Sequence, residues 1–185
     1  MPDDLISRRR WLALSPLSAA VLAAQQHAHD VVRAAKPATL SVLSEDEARE
    51  IEALAGQIIP SDGTPGAREA GVIYFIDRAL ATFDADKRAV YSEGLRQAQD
   101  KRRELFPASQ SIAALQPDKQ IRLLHSIENT GFFELLRTHT IMGFLGNPSY
   151  GGNRELTGWK LIGFEDRFHF EPPFGYYDSD ASRAE

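Results

Sequence analysis

With 185 residues, a net charge of −5 and 43% hydrophobic content, the chain is long enough for one packed domain. It is too acidic to present the basic patch that nucleic acid demands. It contains no cysteine, which excludes disulfides, thiolate metal sites, iron–sulfur ligation and haem attachment through Cys-x-x-Cys-His.

Residues 1–28 read as a targeting segment. Ser7-Arg8-Arg9-Arg10-Trp11-Leu12 is similar to the bacterial twin-arginine export signal, Ser/Thr-Arg-Arg-x-Phe-Leu-Lys, with Trp11 in place of Phe and Ala13 in place of Lys. The apolar run from Leu12 to Ala24 is interrupted by Pro16. It falls short of the roughly 20 apolar residues of a spanning helix. The alternative is that Arg8 to Arg10 form the positive start of an ordinary secretory signal. Both readings place the protein in the periplasm. Neither Gln26-His27-Ala28 nor Ala23-Ala24-Gln25 is a good cleavage site, so retention of the segment stays open. The twin-arginine route carries folded proteins, often with a cofactor or bound to a partner that holds one, which implies redox company.

Residues 29–43, with Lys36-Pro37, read as a linker, and residues 44–165 as one helical domain. Ser44-Glu45-Asp46-Glu47 is a capping box. Ile51, Leu54, Ala55, Ile58 and Ile59 follow at helical spacing, and Pro60 ends that helix. Thr64-Pro65 is expected to open a second helix, striped by Val72, Ile73, Ile76, Leu80 and Phe83. Asp84 is expected to cap a third, carrying Val90, Tyr91, Leu95, Ala98 and Leu105. A fourth runs from about Pro117 to Asn129 with Ile121, Leu124 and Ile127 inward. A fifth runs from Phe132 to Leu145 with Phe132, Phe133, Leu136, Ile141 and Phe144 as its apolar set. No segment alternates as a strand does, so the fold class is all-α, a single small bundle of about five helices. Beyond it lie a turn-rich loop, Gly146 to Asn153, and the short apolar run Gly158 to Phe164. The tail, residues 166–185, carries Pro172-Pro173-Phe174 and Tyr176-Tyr177 without helical period and is expected to run extended over a surface.

Groups suited to catalysis are sparse. His125-x-x-Glu128 places an imidazole and a carboxylate one helical turn apart. A di-iron bundle needs the reverse order, Glu-x-x-His, on two helices, so a solvated helix face is the competing reading. His27 and His29 lie in or beside the leader. His139 either faces a partner or the loop, or is a helix residue satisfied locally. Ser149 lacks a nucleophile elbow, and Gly151-Gly152 is no dinucleotide fingerprint. The residues therefore suggest no catalytic group, metal or cofactor held by this chain alone.

Two segments carry a family resemblance. Ile59-Pro60, Thr64-Pro65-Gly66-Ala67-Arg68-Glu69-Ala70-Gly71-Val72 and Phe75-Ile76-Asp77 form the first. Asn147-Pro148-x-Tyr150-Gly151-Gly152-Asn153 and Gly158-Trp159-Lys160-Leu161-Ile162-Gly163-Phe164 form the second. Together, and in this order, they resemble the N- and C-terminal signatures of the gluconate 2-dehydrogenase subunit 3 family. The resemblance covers roughly residues 44–165, and members often carry a twin-arginine leader. It implies the small, non-flavin subunit of a periplasmic sugar or polyol dehydrogenase. A large flavoprotein of the glucose–methanol–choline (GMC) type would hold FAD and perform the oxidation. A multihaem cytochrome c commonly accepts the electrons. The small subunit would supply the export signal and assist flavoprotein maturation, and would meet the membrane only through the complex.

A subunit of this kind needs a partner surface, and interface cores favour Tyr and Trp. Tyr150, Gly151, Gly152, Asn153, Trp159, Phe174, Tyr176 and Tyr177 are the candidates. Turn geometry and internal packing are the competing explanation for the loop residues and Trp159. The functional alternative is an independent periplasmic helical protein or enzyme whose Gly146–Asn153 loop closes over a small ligand.

Overall fold

The computed structural model describes residues 39–167. The export-signal residues Ser7, Arg8, Arg9, Trp11 and Leu12, and the tail residues Phe174, Tyr176 and Tyr177, lie outside them, as do His27 and His29. The described residues form six α-helices and no strand: α1 Glu45–Ile58, α2 Val72–Ala81, α3 Arg88–Leu105, α4 Pro117–Ile127, α5 Gly131–Leu145 and α6 Thr157–Ile162. Three 3-10 turns, Ala85–Lys87, Pro148–Tyr150 and Arg154–Leu156, join them. The all-α bundle expected from the pattern is present. A sixth helix arises from the short apolar run after the loop.

The capping box of α1 is formed: Glu47 N–H donates to Ser44 Oγ (3.3 Å), and Ser44 N–H donates to Glu47 Oε2 (2.9 Å). Helix α2 starts at Val72, later than Thr64-Pro65 suggests. The carboxylate of Glu69 accepts from Gly66 N–H (2.8 Å) and Ser61 Oγ–H (2.7 Å), and Ala67 N–H donates to Ile59 O (2.9 Å). These bonds fold residues 59–69 into a closed turn, and Gly71 then takes a left-handed conformation (φ 66°) directly before the helix. Bonds from the Ser61 hydroxyl, from the Glu69 backbone N–H and from Gly66 N–H, in that order, hold the Glu69 carboxyl below the usual carboxylate range.

Helix α3 also starts later than expected. Asp84 makes no capping bond, and a 3-10 turn intervenes before Arg88. Its carboxylate turns to a histidine on α5 instead. On α4 the inward positions are Gln120, Leu123, Leu124 and Ile127, whereas Ile121 is exposed. On α5, Phe132, Leu136, His139, Thr140, Gly143 and Phe144 face inward and Ile141 faces out. Phe83, Val90 and Leu105, expected in apolar stripes, are also exposed. Phe83 lies past the end of α2, where helical phase no longer applies.

Helix α5 packs across α2, α3 and α1, and α4 closes the bundle against α1 and α3. Leu54, Ile76, Leu80, Leu123 and Leu136 are fully buried between them. The segment before α1 is tied to this core by one side chain. The buried Asp77 carboxylate accepts backbone N–H bonds from Ser41 (2.6 Å), Val42 (3.0 Å) and Leu43 (2.9 Å). Leu40, Val42 and Leu43 pack against the core beside it. No helix among the described residues is long and apolar enough to cross a membrane.

Candidate functional site

Helix α5 ends with carbonyls that need donors, and the loop after it supplies them. Trp159 Nε1–H donates to Leu145 O (2.6 Å) and Asn153 Nδ2–H to Gly146 O (2.9 Å). Asn153 Oδ1 accepts from Gly158 N–H (2.8 Å), which holds the start of α6 against the same helix end. Asn153 is fully buried and left-handed (φ 46°), a conformation Asn tolerates better than most residues. The loop lies so close to α5 that a Cβ at Gly152 would sit 2.1 Å from Gly143 O. Gly152→Ala must lift the loop off the helix and is expected to cost about 1–3 kcal/mol, the scale of overpacking. Urea unfolding with unchanged slope checks it.

The loop also fastens onto α2. Arg154 N–H donates to Ala70 O (2.9 Å), and Arg78 Nη1–H donates to Ser149 O (2.6 Å). The Arg154 guanidinium lies 3.8 Å from the Tyr74 ring centroid. Residues 70–78 and 149–154, far apart in sequence, thus form one seam. Gly151 and Gly152 meet the backbones of α2 and α5 rather than a cavity.

Of the residues expected at a partner contact, Gly152, Asn153 and Trp159 are buried, because they satisfy and cover the end of α5. Gly151 is half-buried. Tyr150 faces solvent at 51% exposure, with its ring edge-on to exposed Phe83 at 6.4 Å. Exposed Leu156, Leu161, Ile162 and Phe164 follow along α6, and Phe164 packs edge-on against Trp159 at 4.8 Å. Leu156 lies within the Tyr150–Trp159 stretch expected at a partner contact, whereas Phe83, Leu161, Ile162 and Phe164 were not expected there. Phe83 reads as helix stripe, and an apolar run does not reveal which side faces water.

His139 is 1% exposed and bridges two elements. Its Nδ1 meets the Tyr91 hydroxyl at 3.0 Å and its Nε2 meets Asp84 Oδ2 at 3.1 Å. Its ring stacks on Tyr91 and meets Phe75 edge-on. It therefore faces neither the loop nor solvent. Burial pushes the imidazole below its usual range, against the opposing pull of Asp84, and burial pushes the Tyr91 phenol up. A neutral imidazole fits: the phenol donates to Nδ1, and Nε2–H donates to the carboxylate. His125 and Glu128 form an exposed pair at 3.0 Å, and no group of three metal-ligating side chains occurs among the described residues.

A family model described as Gluconate 2-dehydrogenase subunit 3 matches residues 45–166. No curated protein and no solved structure matches the chain. The match spans both halves of the seam and the helices between them, and the chain belongs to the gluconate 2-dehydrogenase subunit 3 family.

Proposed function

We propose that this chain is the non-catalytic small subunit of a periplasmic, FAD-dependent sugar or polyol dehydrogenase. In this reading it supplies the twin-arginine export signal and assists maturation and stability of a GMC-type flavoprotein. The observation that carries the proposal is the family assignment, which implies an accessory subunit of a multi-subunit gluconate 2-dehydrogenase complex. FAD belongs to the flavoprotein, haem c to a cytochrome subunit where one is present, and contact with the membrane comes only through the complex.

The exposed apolar edge supports a docking role. Tyr150 with Phe83, and Leu156, Leu161, Ile162 and Phe164 along α6, place large apolar side chains in water where a partner can cover them. The aromatic tail, with Phe174, Tyr176 and Tyr177, extends the same proposed contact. Gly152, Asn153 and Trp159 serve it from beneath by fixing the loop.

Export provides the test. Replacing both Arg8 and Arg9 by Lys is expected to hold the chain in the cytoplasm, together with any flavoprotein that lacks its own leader. Fractionation and immunodetection read the outcome. An unchanged periplasmic share of the double variant contradicts the twin-arginine assignment.

A further inference from the structure

Arg154 joins the two signature segments through both its backbone and its side chain. We propose that Arg154 is a positioning residue. By engaging Ala70, Gly71 and Tyr74 at the start of α2, it holds the Asn147–Leu156 loop in the shape that presents Tyr150 and Leu156 to the flavoprotein subunit. The proposal rests on the partner reading above.

Local preference does not account for the shape of this loop. Asn153, Glu155 and Leu156 are left-handed, with φ of 46°, 54° and 60°. A β-carbon disfavours that region, most clearly for Glu and Leu. Two adjacent anchors fix the start of the strained turn. At the first, the Asn153 amide grips the end of α5. At the second, the Arg154 backbone N–H bonds Ala70 O at 2.9 Å, and its guanidinium covers the Tyr74 ring at 3.8 Å. The arginine stem passes over Gly71, where a Cβ would lie 2.5 Å from Arg154 Cδ and 2.6 Å from Nε. Gly71 therefore serves the turn before α2 twice, through its φ of 66° and through the slot its missing side chain leaves. The exposed Tyr150 and Leu156 lie to either side of these anchors in the chain. A loop already fixed in its bound shape loses less freedom on docking, so the latch raises affinity without touching the partner. Lys substitutes poorly, because its compact ammonium lacks the planar guanidinium that stacks on the ring.

The test uses the full chain co-expressed with the flavoprotein subunit of its complex. Arg154→Ala, Arg154→Lys, Gly71→Ala and Tyr150→Ala are compared after circular dichroism has shown retained helix. Arg154→Lys keeps the backbone bond to Ala70 and the charge, and so covers the case in which the Ala variant does not fold. Amide exchange over residues 147–156 is expected to quicken about tenfold in both Arg154 variants and in Gly71→Ala, the scale of one stacked cation–ring contact. Amides of α1, α3 and α4 stay as they were. The flavoprotein retained on the tagged chain is expected to fall by a similar factor, as it does for Tyr150→Ala. Unchanged loop exchange in Arg154→Lys and Gly71→Ala overturns the latch. Loosened exchange with full flavoprotein retention overturns its positioning role. Tyr150→Ala tells the two failures apart. Loss of retention there alone removes the latch and keeps the contact. Full retention in every variant removes the contact reading and the latch with it.

Discussion

Asp77→Asn is expected to destabilise the protein by about 2 kcal/mol, and Asp77→Ala by more. The carboxylate is 2% exposed and accepts three backbone N–H bonds, from Ser41 on Oδ2 and from Val42 and Leu43 on Oδ1. Ala leaves three donors without their acceptor. Asn keeps one oxygen, enough for Val42 and Leu43, and turns an NH2 group toward the Ser41 N–H, donor against donor. The nominally conservative change thus breaks the clasp. A loss of this size is a large share of the roughly 5–15 kcal/mol that holds a domain together. Urea denaturation measures the cost. Proteolysis by an enzyme that cuts after leucine is expected to open the chain at Leu40 or Leu43 in both variants before the helices unfold. An Asn variant within about 0.5 kcal/mol of the parent, the range of neutral surface changes, contradicts this account.

The second effect is centred on His139, whose loss is costly at neutral pH and whose protonation on unfolding makes the protein acid-sensitive. The folded chain keeps its imidazole neutral, with a pKa below the usual value, while the unfolded chain takes up a proton near pH 6.5. The unfolded state then binds more protons, so stability is full above about pH 6.5 and is lost as pH falls toward the folded value. The slope approaches about 1.4 kcal/mol per pH unit where only the unfolded form is charged. Asp84 and Tyr91 face the ring from the turn and α3, Phe75 faces it from α2, and Lys87 lies beside Asp84. His139→Leu removes the titrating group and strands the Tyr91 hydroxyl, at a cost of about 2–4 kcal/mol at neutral pH. Adding Tyr91→Phe is expected to restore about 1 kcal/mol, because the orphaned donor is gone. The gap between the parent and His139→Leu should narrow as pH drops from 7 to 5. Parallel curves would show that His139 does not titrate on unfolding.

Local signals in the sequence were read well, and distant partners were not. The capping box and Pro60 set α1 because every group involved lies within one turn of it. Helix α2 was placed early because the carboxylate that folds the preceding turn, Glu69, looks like any acidic residue near a helix start. Asp84 has the chemistry of an N-cap, but its partner is 55 residues away. On α4, Leu124 and Ile127 face inward as the pattern predicts, but Ile121 faces solvent and Gln120 takes the core position beside it. Gln120 is accommodated because its amide donates to Ile112 O and accepts from Gln57. Helix α6 has no side-chain cap and follows a left-handed Leu156, so it showed only as an apolar run. The loop glycines were legible as turn residues. That the loop caps α5 and locks onto Ala70 and Tyr74 was not, because those contacts depend on the tertiary fold.

In the proposed reading this chain serves a flavoprotein and does no redox chemistry itself. The most direct measurement is an absorption spectrum and a dye-linked dehydrogenase assay on the tagged chain purified from its own host. Both are repeated after mild denaturant has separated it from any bound subunit. Flavin absorbance and sugar- or polyol-oxidising activity are expected to leave with a larger polypeptide, so that the separated chain is colourless and inactive. A flavin or haem band, or dehydrogenase activity, that stays with the isolated chain would contradict the account.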